Sequence, residues 1–224
     1  MKRLQIIILI IGCSFLSGAD KVAMTIKAKG DAVLQRSDET EKKPLKPGNP
    51  VQDQDKISTG KKSMAMIMFL DDKSVLKIRE DSEFTVGGQR TTDGISKSVD
   101  LSYGVLRANV SPQEGKQFII STPTSVASIK GTEIIVSSDP TGGDVFILLE
   151  GLVDVENSVS GEITSLSGGE TAISSTTGEL ETHTTTEEEL ESTGGDEEEE
   201  IRELRFQFED DSGNTKELII KFTE

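Results

Sequence analysis

From Phe118 to Asn157 the chain is a succession of short β-type runs, each closed by a glycine, proline or aspartate. Phe118–Ser121 leads into Thr122-Pro123-Thr124, and Val126–Ile129 leads into Lys130-Gly131. Ile134–Val136, Val145–Leu149 and Leu152–Val155 follow. Pro123 has no N–H to give to a ladder, so it belongs at a corner or an edge. It also pushes Thr122 towards an extended backbone. Gly131 stands between two β-branched runs, where a bend or a close backbone approach favours glycine. Val145–Leu149 does not alternate, which predicts a strand covered on both faces. A chain of this kind goes out, turns a corner and comes back, repeatedly.

The same rhythm extends to both sides. Val22–Ala28 alternates as a half-buried strand does, and Ala32–Leu34 continues after Gly30-Asp31. Residues 37–50 are polar, hold three prolines and read as a surface loop. Lys56–Ser58 is a short strand. Met64–Phe69 and Val75–Ile78 are the arms of a hairpin turned at Asp71-Asp72-Lys73. Its three methionines are read as core filler, the commonest role of Met. Gly87-Gly88 and Thr91–Gly94 mark a loop, and Val99–Leu101 and Val105–Val110 read as two strands split by Gly104. Ile163–Leu166 and Thr171–Ile173 close the series. The expected fold is all-β, an irregular solenoid or sandwich of short antiparallel strands over residues 20–176. No sequence repeat of fixed period is present.

Residues 177–200 read as an acidic linker, which suits either plain disorder or a short helix, since Thr184 and Glu187 fit a capping box and Gly194-Gly195 a stop. Residues 201–224 read as a β-hairpin: Leu204, Phe206 and Phe208 alternate with Arg205 and Gln207, and Leu218, Ile220 and Phe222 with Ile219 and Lys221, on either side of the turn-forming 210–214. An isolated hairpin is marginal in water. Phe206, Phe208, Ile220 and Phe222 are therefore candidates for docking on the body, on a second copy (self-association) or on a partner.

The run Thr122-Pro123-Thr124-Ser125-Val126-Ala127-Ser128-Ile129-Lys130-Gly131-Thr132 resembles the signature of the FecR domain family. Glu150–Val155 is similar to that family's return strand, Ile57–Gly60 to an earlier strand end, and Ser63–Ile78 to its hairpin. The resemblance covers about residues 30–174. Lys130 stands where the family usually has arginine, and Asp72-Lys73-Ser74 replaces a glycine-serine turn. In its best-known members, the resemblance implies a sensor that takes a signal from an outer-membrane transporter and passes it to a sigma-factor regulator. This chain shows no match to the spanning helix or the regulator of those members, so the resemblance carries over a protein-contact role.

Charge argues against one class of partner. The formal net charge is −16, yet residues 21–178 hold 18 Lys/Arg against 22 Asp/Glu, while residues 179–200 hold 11 Asp/Glu and no Lys or Arg. A near-neutral body with an acidic tail lacks the clustered cations that phosphate contacts require, so no nucleic-acid partner is expected. Residues 1–19 read as a secretory signal: a Lys2-Arg3 start, an apolar Leu4–Leu16 and a Ser17-Gly18-Ala19 cleavage site. Ile10-Ile11-Gly12-Cys13 gives a second reading, a lipobox with Cys13 lipidated. Either way the expected place is outside the cytoplasm, periplasmic or secreted, with a lipid anchor as the sole tie to a membrane. No disulfide is expected from a chain with one cysteine.

Catalytic residues are sparse. His183 is the only histidine and falls in the expected linker, where nothing would hold it. Zinc needs several His or Cys ligands. Asp71-Asp72 and Asp210-Asp211 fall at expected hairpin tips, where aspartate serves turn geometry and no full calcium loop surrounds it. No enzyme activity, cofactor or metal is expected. Sugar sites stack on Trp or Tyr, and the chain has no Trp and only Tyr103. The leading reading is a non-enzymatic cell-envelope module that binds an envelope protein. The alternatives are an accessory sensor working with a separately encoded sigma-factor regulator or transporter, and a polysaccharide- or peptidoglycan-binding module. The contact surface is expected at an exposed edge around Thr122, Pro123, Ile129, Lys130 and Gly131.

Overall fold

The computed structural model describes residues 21–113, 115–193, 201–209 and 215–223, the last two spans by backbone alone. Seventeen strands form the body: β1 (Lys21–Lys29), β2 (Ala32–Gln35), β3 (Lys42–Pro44), β4 (Pro50–Gln52), β5 (Asp55–Thr59), β6 (Met64–Phe69), β7 (Val75–Ile78), β8 (Ser82–Thr91), β9 (Gly94–Val110), β10 (Phe118–Ser121), β11 (Ser125–Ile129), β12 (Thr132–Asp139), β13 (Gly143–Glu150), β14 (Leu152–Asn157), β15 (Ile163–Ser167), β16 (Glu170–Ser174) and β17 (Leu180–Thr184). The strands lie in two layers that share β9. The first runs β4-β1-β6-β7-β9-β12-β13-β16-β17. The second runs β3-β2-β5-β8-β9-β10-β11-β14-β15. Among these pairings only β9–β10 is parallel. From β10 onward the chain lays one hairpin in the second layer, the next in the first, and so on. It changes layer at Gly131, Gly151 and Gly168-Gly169.

The core lies between the layers. Val22, Ile67, Leu76, Phe146 and Leu148 come from the first, and Ile57, Phe84, Val99, Ile120 and Val153 from the second, in one cluster. Phe69 and Phe118 join the layers edge to face, with ring centroids 5.5 Å apart. Such a pair contributes about 0.5–1.5 kcal/mol beyond its area. Val145–Leu149 fulfils its expectation of two covered faces: Phe146, Ile147 and Leu148 are all fully buried.

Several sequence readings change. Val99–Leu101 and Val105–Val110 are one strand, since Gly104, at φ +99°, lets β9 bend from the second layer into the first without losing its pairing. The expected Gly87-Gly88 loop lies inside β8, because a Cβ on Gly88 would sit 2.5 Å from Val22 Cγ1, so glycine serves close packing there. The loop 37–50 contains β3 and begins β4, short edge strands where prolines are tolerated. The methionines of β6 are not core filler: Ala65, Ile67 and Phe69 face inward, and Met64, Met66 and Met68 are half-buried on the outer face.

The expected linker also starts later. Residues 180–184 form β17, paired along its length with β16. Helix α1 (Glu187–Ser192) then follows, with its capping box at Thr186 and Glu189 rather than at Thr184 and Glu187. His183 is accordingly held: it lies opposite Thr171 on β17, and its Nε2 is 2.8 Å from Glu189 Oε1. At the C-terminus β18 (Ile201–Glu209) and β19 (Thr215–Thr223) pair antiparallel, with Leu204 opposite Ile220 and Phe206 opposite Leu218. The side chains of Phe206, Phe208, Ile220 and Phe222 lie outside the described residues, as do the leader 1–20 and Cys13.

Candidate functional site

The turn Thr122-Pro123-Thr124 joins β10 to β11 at one end of the second layer. Its backbone closes by the Thr122 N–H donating to the Ser125 carbonyl and the Ser125 N–H donating to Thr122 Oγ1. Underneath is a buried carboxylate, Asp144, the second residue of β13. Thr122 Oγ1 and Thr124 Oγ1 donate to Asp144 Oδ2, and Ser138 Oγ donates to Oδ1 at 2.7 Å. Ser125 Oγ lies 2.8 Å from both Asp144 Oδ2 and Ser174 Oγ. Asn157 Nδ2 extends the chain of bonds, donating to Ser174 Oγ and to the Ser175 carbonyl. A buried carboxylate is tolerable when hydrogen bonds satisfy it, and hydroxyls do so here. The network ties five strands and the turn into one unit.

The outer side of the turn is open. Pro123 is exposed and Thr122 half-buried. They border a shallow pocket of about 210 Å³, shared with Asp100, Leu101, Ser102 and Ser121. Tyr103, 40% exposed, stands next in sequence to that pocket's β9 wall. The pocket floor is fixed by register, since Ser121 lies opposite Asp100 in the parallel β9–β10 pair.

The expected edge is not a backbone edge. β10 is paired by β9 and β11, and β11 by β10 and β14, so both strands are interior. The residues that sequence grouped are divided: Thr122 and Pro123 are at one end, whereas Lys130 and Gly131 are at the other. Ile129 is buried, 2% exposed, and Lys130 Nζ is 3.3 Å from Asp154 Oδ2 across the outer face. The backbone edges lie instead at β3, β4, β15 and β17, the strands that end the two layers. Alternation could have signalled neither the pairing partners of β10 nor the buried Asp144, which sequence places in a turn-rich stretch.

A second polar cluster sits at the far end, beside the Asp71-Asp72 tip. Lys97 on β9 is buried, with Nζ 2.9 Å from Asp71 Oδ2 and 2.8 Å from Asp72 Oδ2. Gln113 Nε2 donates to Asp72 Oδ2 and to the Ser111 carbonyl. Burial pushes the Asp72 carboxyl up, but bonds from Lys97, the Ser74 N–H and Gln113 outweigh it and bring it down to about 2. The ammonium occupies the place a cation would take between the two carboxylates. Among the described residues no group of three or more His, Cys, Asp or Glu is placed to hold a metal ion. No helix among them is long and apolar enough to cross a membrane.

Residues 55–154 match the family described as FecR protein, so the chain carries a FecR domain. A crystal structure of a protein from Parabacteroides distasonis, described as a candidate anti-sigma factor, is 21% identical with a TM-score of 0.50. The match covers 58% of this chain and 59% of that one, which is less than two thirds of its length. A second crystal structure of the same description is 20% identical with a TM-score of 0.48. At such identity the likeness is one of fold. No curated protein matches the chain.

Proposed function

From its FecR domain at residues 55–154, we propose that the chain is a non-enzymatic protein-interaction module of the cell envelope. The observation that carries this reading is the build of the signature turn. Three of its hydroxyl side chains are spent inward on Asp144, which leaves Pro123 presented on a rigid mount beside the shallow pocket. Pre-organisation of this kind lowers the ordering cost of association. The Asp144 network offers no general base near a nucleophile exposed to solvent; its serine and threonine hydroxyls serve a carboxylate in the core.

The family and the described role of the structural neighbour favour a signalling setting for that contact. In this reading the chain is an accessory that hands an envelope signal to a separately encoded sigma-factor regulator or transporter. Its envelope location follows the sequence reading of residues 1–19 as a leader, with Cys13 as the alternative anchor point.

A site-specific photo-crosslinker at Ser102, on the rim of the pocket, tests the contact in native envelopes. One discrete adduct with an envelope protein, absent when the crosslinker is moved to Lys130, is the expected result. Identical adducts from both positions, or none from Ser102, count against the reading.

A further inference from the structure

Strands β1, β6 and β7 of the first layer contain four lysines and no Asp or Glu. Ala65, Ile67 and Phe69 turn inward, so Met64, Met66 and Met68 take the outer face. Register sets Met24 opposite Met68 and Lys29 opposite Met64 on one side of β6. On the other side Val75 lies opposite Met68 and Lys77 opposite Met66. The face therefore has an apolar end and a cationic end. Met24 and Ile26 are each nearly two-fifths exposed. At the cationic end Lys29, Lys62 of the β5–β6 turn, Lys77 and Arg79 line a cavity of about 260 Å³. Glu80 is the only carboxylate among its described lining residues, and it already accepts the Lys62 N–H. Cations gathered in a concave surface raise the local concentration of anions.

We propose that this face docks on an anionic phospholipid bilayer, with the cleft taking headgroup phosphates and Met24 and Ile26 entering the acyl boundary. Two observations favour a bilayer over an acidic protein segment. The lysines stand beside exposed apolar side chains on one acid-free face, the combination that holds an amphipathic surface at a charged lipid interface. The chain also leads to this face: eight residues separate Cys13, in its lipidated reading, from Lys21 of β1, a reach of about 28 Å at most. Charge is divided to match. Residues 21–80 carry 13 Lys/Arg against 9 Asp/Glu, whereas residues 81–178 carry 5 against 13. Glu181 and the acidic α1 accompany β17, which stands five strand spacings, about 24 Å, from β7. Charge acts over about 8 Å at physiological salt, so their repulsion is screened from this face. The surface belongs to the other layer from the Pro123 pocket and shares with that contact only the envelope setting.

The test is the partition of the full chain into vesicles of mixed phosphatidylglycerol and phosphatidylcholine, divided by its partition into phosphatidylcholine alone. Residues 1–20 are common to every variant, so their contribution cancels between parent and variant. The ratio should fall about a hundredfold in Lys29→Gln/Lys62→Gln/Lys77→Gln, since each basic residue at an anionic surface is worth about fivefold. It should stay within about threefold in Lys42→Gln/Lys43→Gln/Lys46→Gln, which removes the same charge from β3 and the loop after it. Equal falls in the two variants would assign the effect to net charge and overturn the proposal. A second measurement uses the unaltered chain. Phosphatidylglycerol vesicles should slow acetylation of Lys29, Lys62 and Lys77 about threefold relative to Lys130, and phosphatidylcholine vesicles should not. Unslowed acetylation overturns the proposal, as does protection by a soluble hexaglutamate peptide with none from the vesicles.

Discussion

The Lys97 ammonium lies 2.8 Å from Asp72 Oδ2 with its side chain wholly buried. It also meets Asp71 and sits 5.5 Å from the centroid of the Phe69 ring, on the core side of the β6–β7 tip. One strand residue thus fixes the tip of a hairpin some 25 positions earlier, and Gln113 locks the same carboxylate from the segment after β9.

Replacing Lys97 with methionine keeps most of the volume and removes the cation. Asp72 then loses its ammonium, and among the described residues the only cation Asp71 keeps is Lys116, whose Nζ lies 3.8 Å away. Removal of one partner from a buried pair costs about 3–5 kcal/mol. Urea denaturation of Lys97→Met at pH 7 should show a loss of that size, partly recovered in the double variant with Asp72→Asn.

Acid should destabilise the protein through the same cluster. Asp72 titrates near 2 when folded, below its ordinary value near 3.9, so its contribution is complete above about pH 4. It is lost as pH falls from about 4 to 2, and amounts to about 2 kcal/mol. The urea midpoint of Asp72→Asn should change less over that interval than that of the parent, whereas equal slopes would remove Asp72 from the account.

Asp144→Asn exchanges a carboxylate for a group that can satisfy fewer of the surrounding hydroxyls. Hydrogen bonds to a charged group contribute about 1.5–3 kcal/mol each, and their partial loss should cost about 2–4 kcal/mol overall. Amide exchange at Ser125, whose N–H is bonded inside the turn, should quicken more than exchange at Ile129, at the other end of β11. Uniform quickening along β11 would mean that the network serves global stability rather than the turn.

Gly151 has φ +99°, and a Cβ there would stand 2.6 Å from the Gly131 carbonyl oxygen. Two layer-crossing corners lie against each other at that point. Gly151→Ala should cost about 1–3 kcal/mol or more. Gly161→Ala, at φ +73° with nothing within 4 Å, carries the backbone term alone and serves as the comparison. A thermal melt that ranks Gly161→Ala as the more damaging contradicts this packing.

The β character of the chain was legible because strands with one buried face alternate and turns carry Gly, Pro and Asp. Val22–Ala28, Met64–Phe69 and Val75–Ile78 are strands as expected, but β1 turns Ala23 and Thr25 inward and leaves Met24 and Ile26 exposed, the reverse of its apolar alternation. The signature Thr122–Thr132 also carried the family. Among the readings that failed, three show local rules meeting tertiary demand. Gly88 was taken for a breaker but makes room for Val22, and Gly104 was taken for a stop but bends a continuous strand. The polarity of Glu179, Glu181, Thr182, His183 and Thr184 hid β17, an edge strand whose residues 181–184 face solvent and so have no apolar mark.

Sequence by itself determined the strand-and-corner grammar, because side-chain alternation and backbone restrictions act within a few residues. It determined the family likeness and the acidic C-terminal segment for the same local reason. Which strands pair, which carboxylate sits beneath the Thr122 turn and which lysine is sealed between Asp71 and Asp72 were decided by tertiary structure alone. Those contacts join residues 19 to 49 positions apart, and their energy depends on burial, which no local pattern encodes.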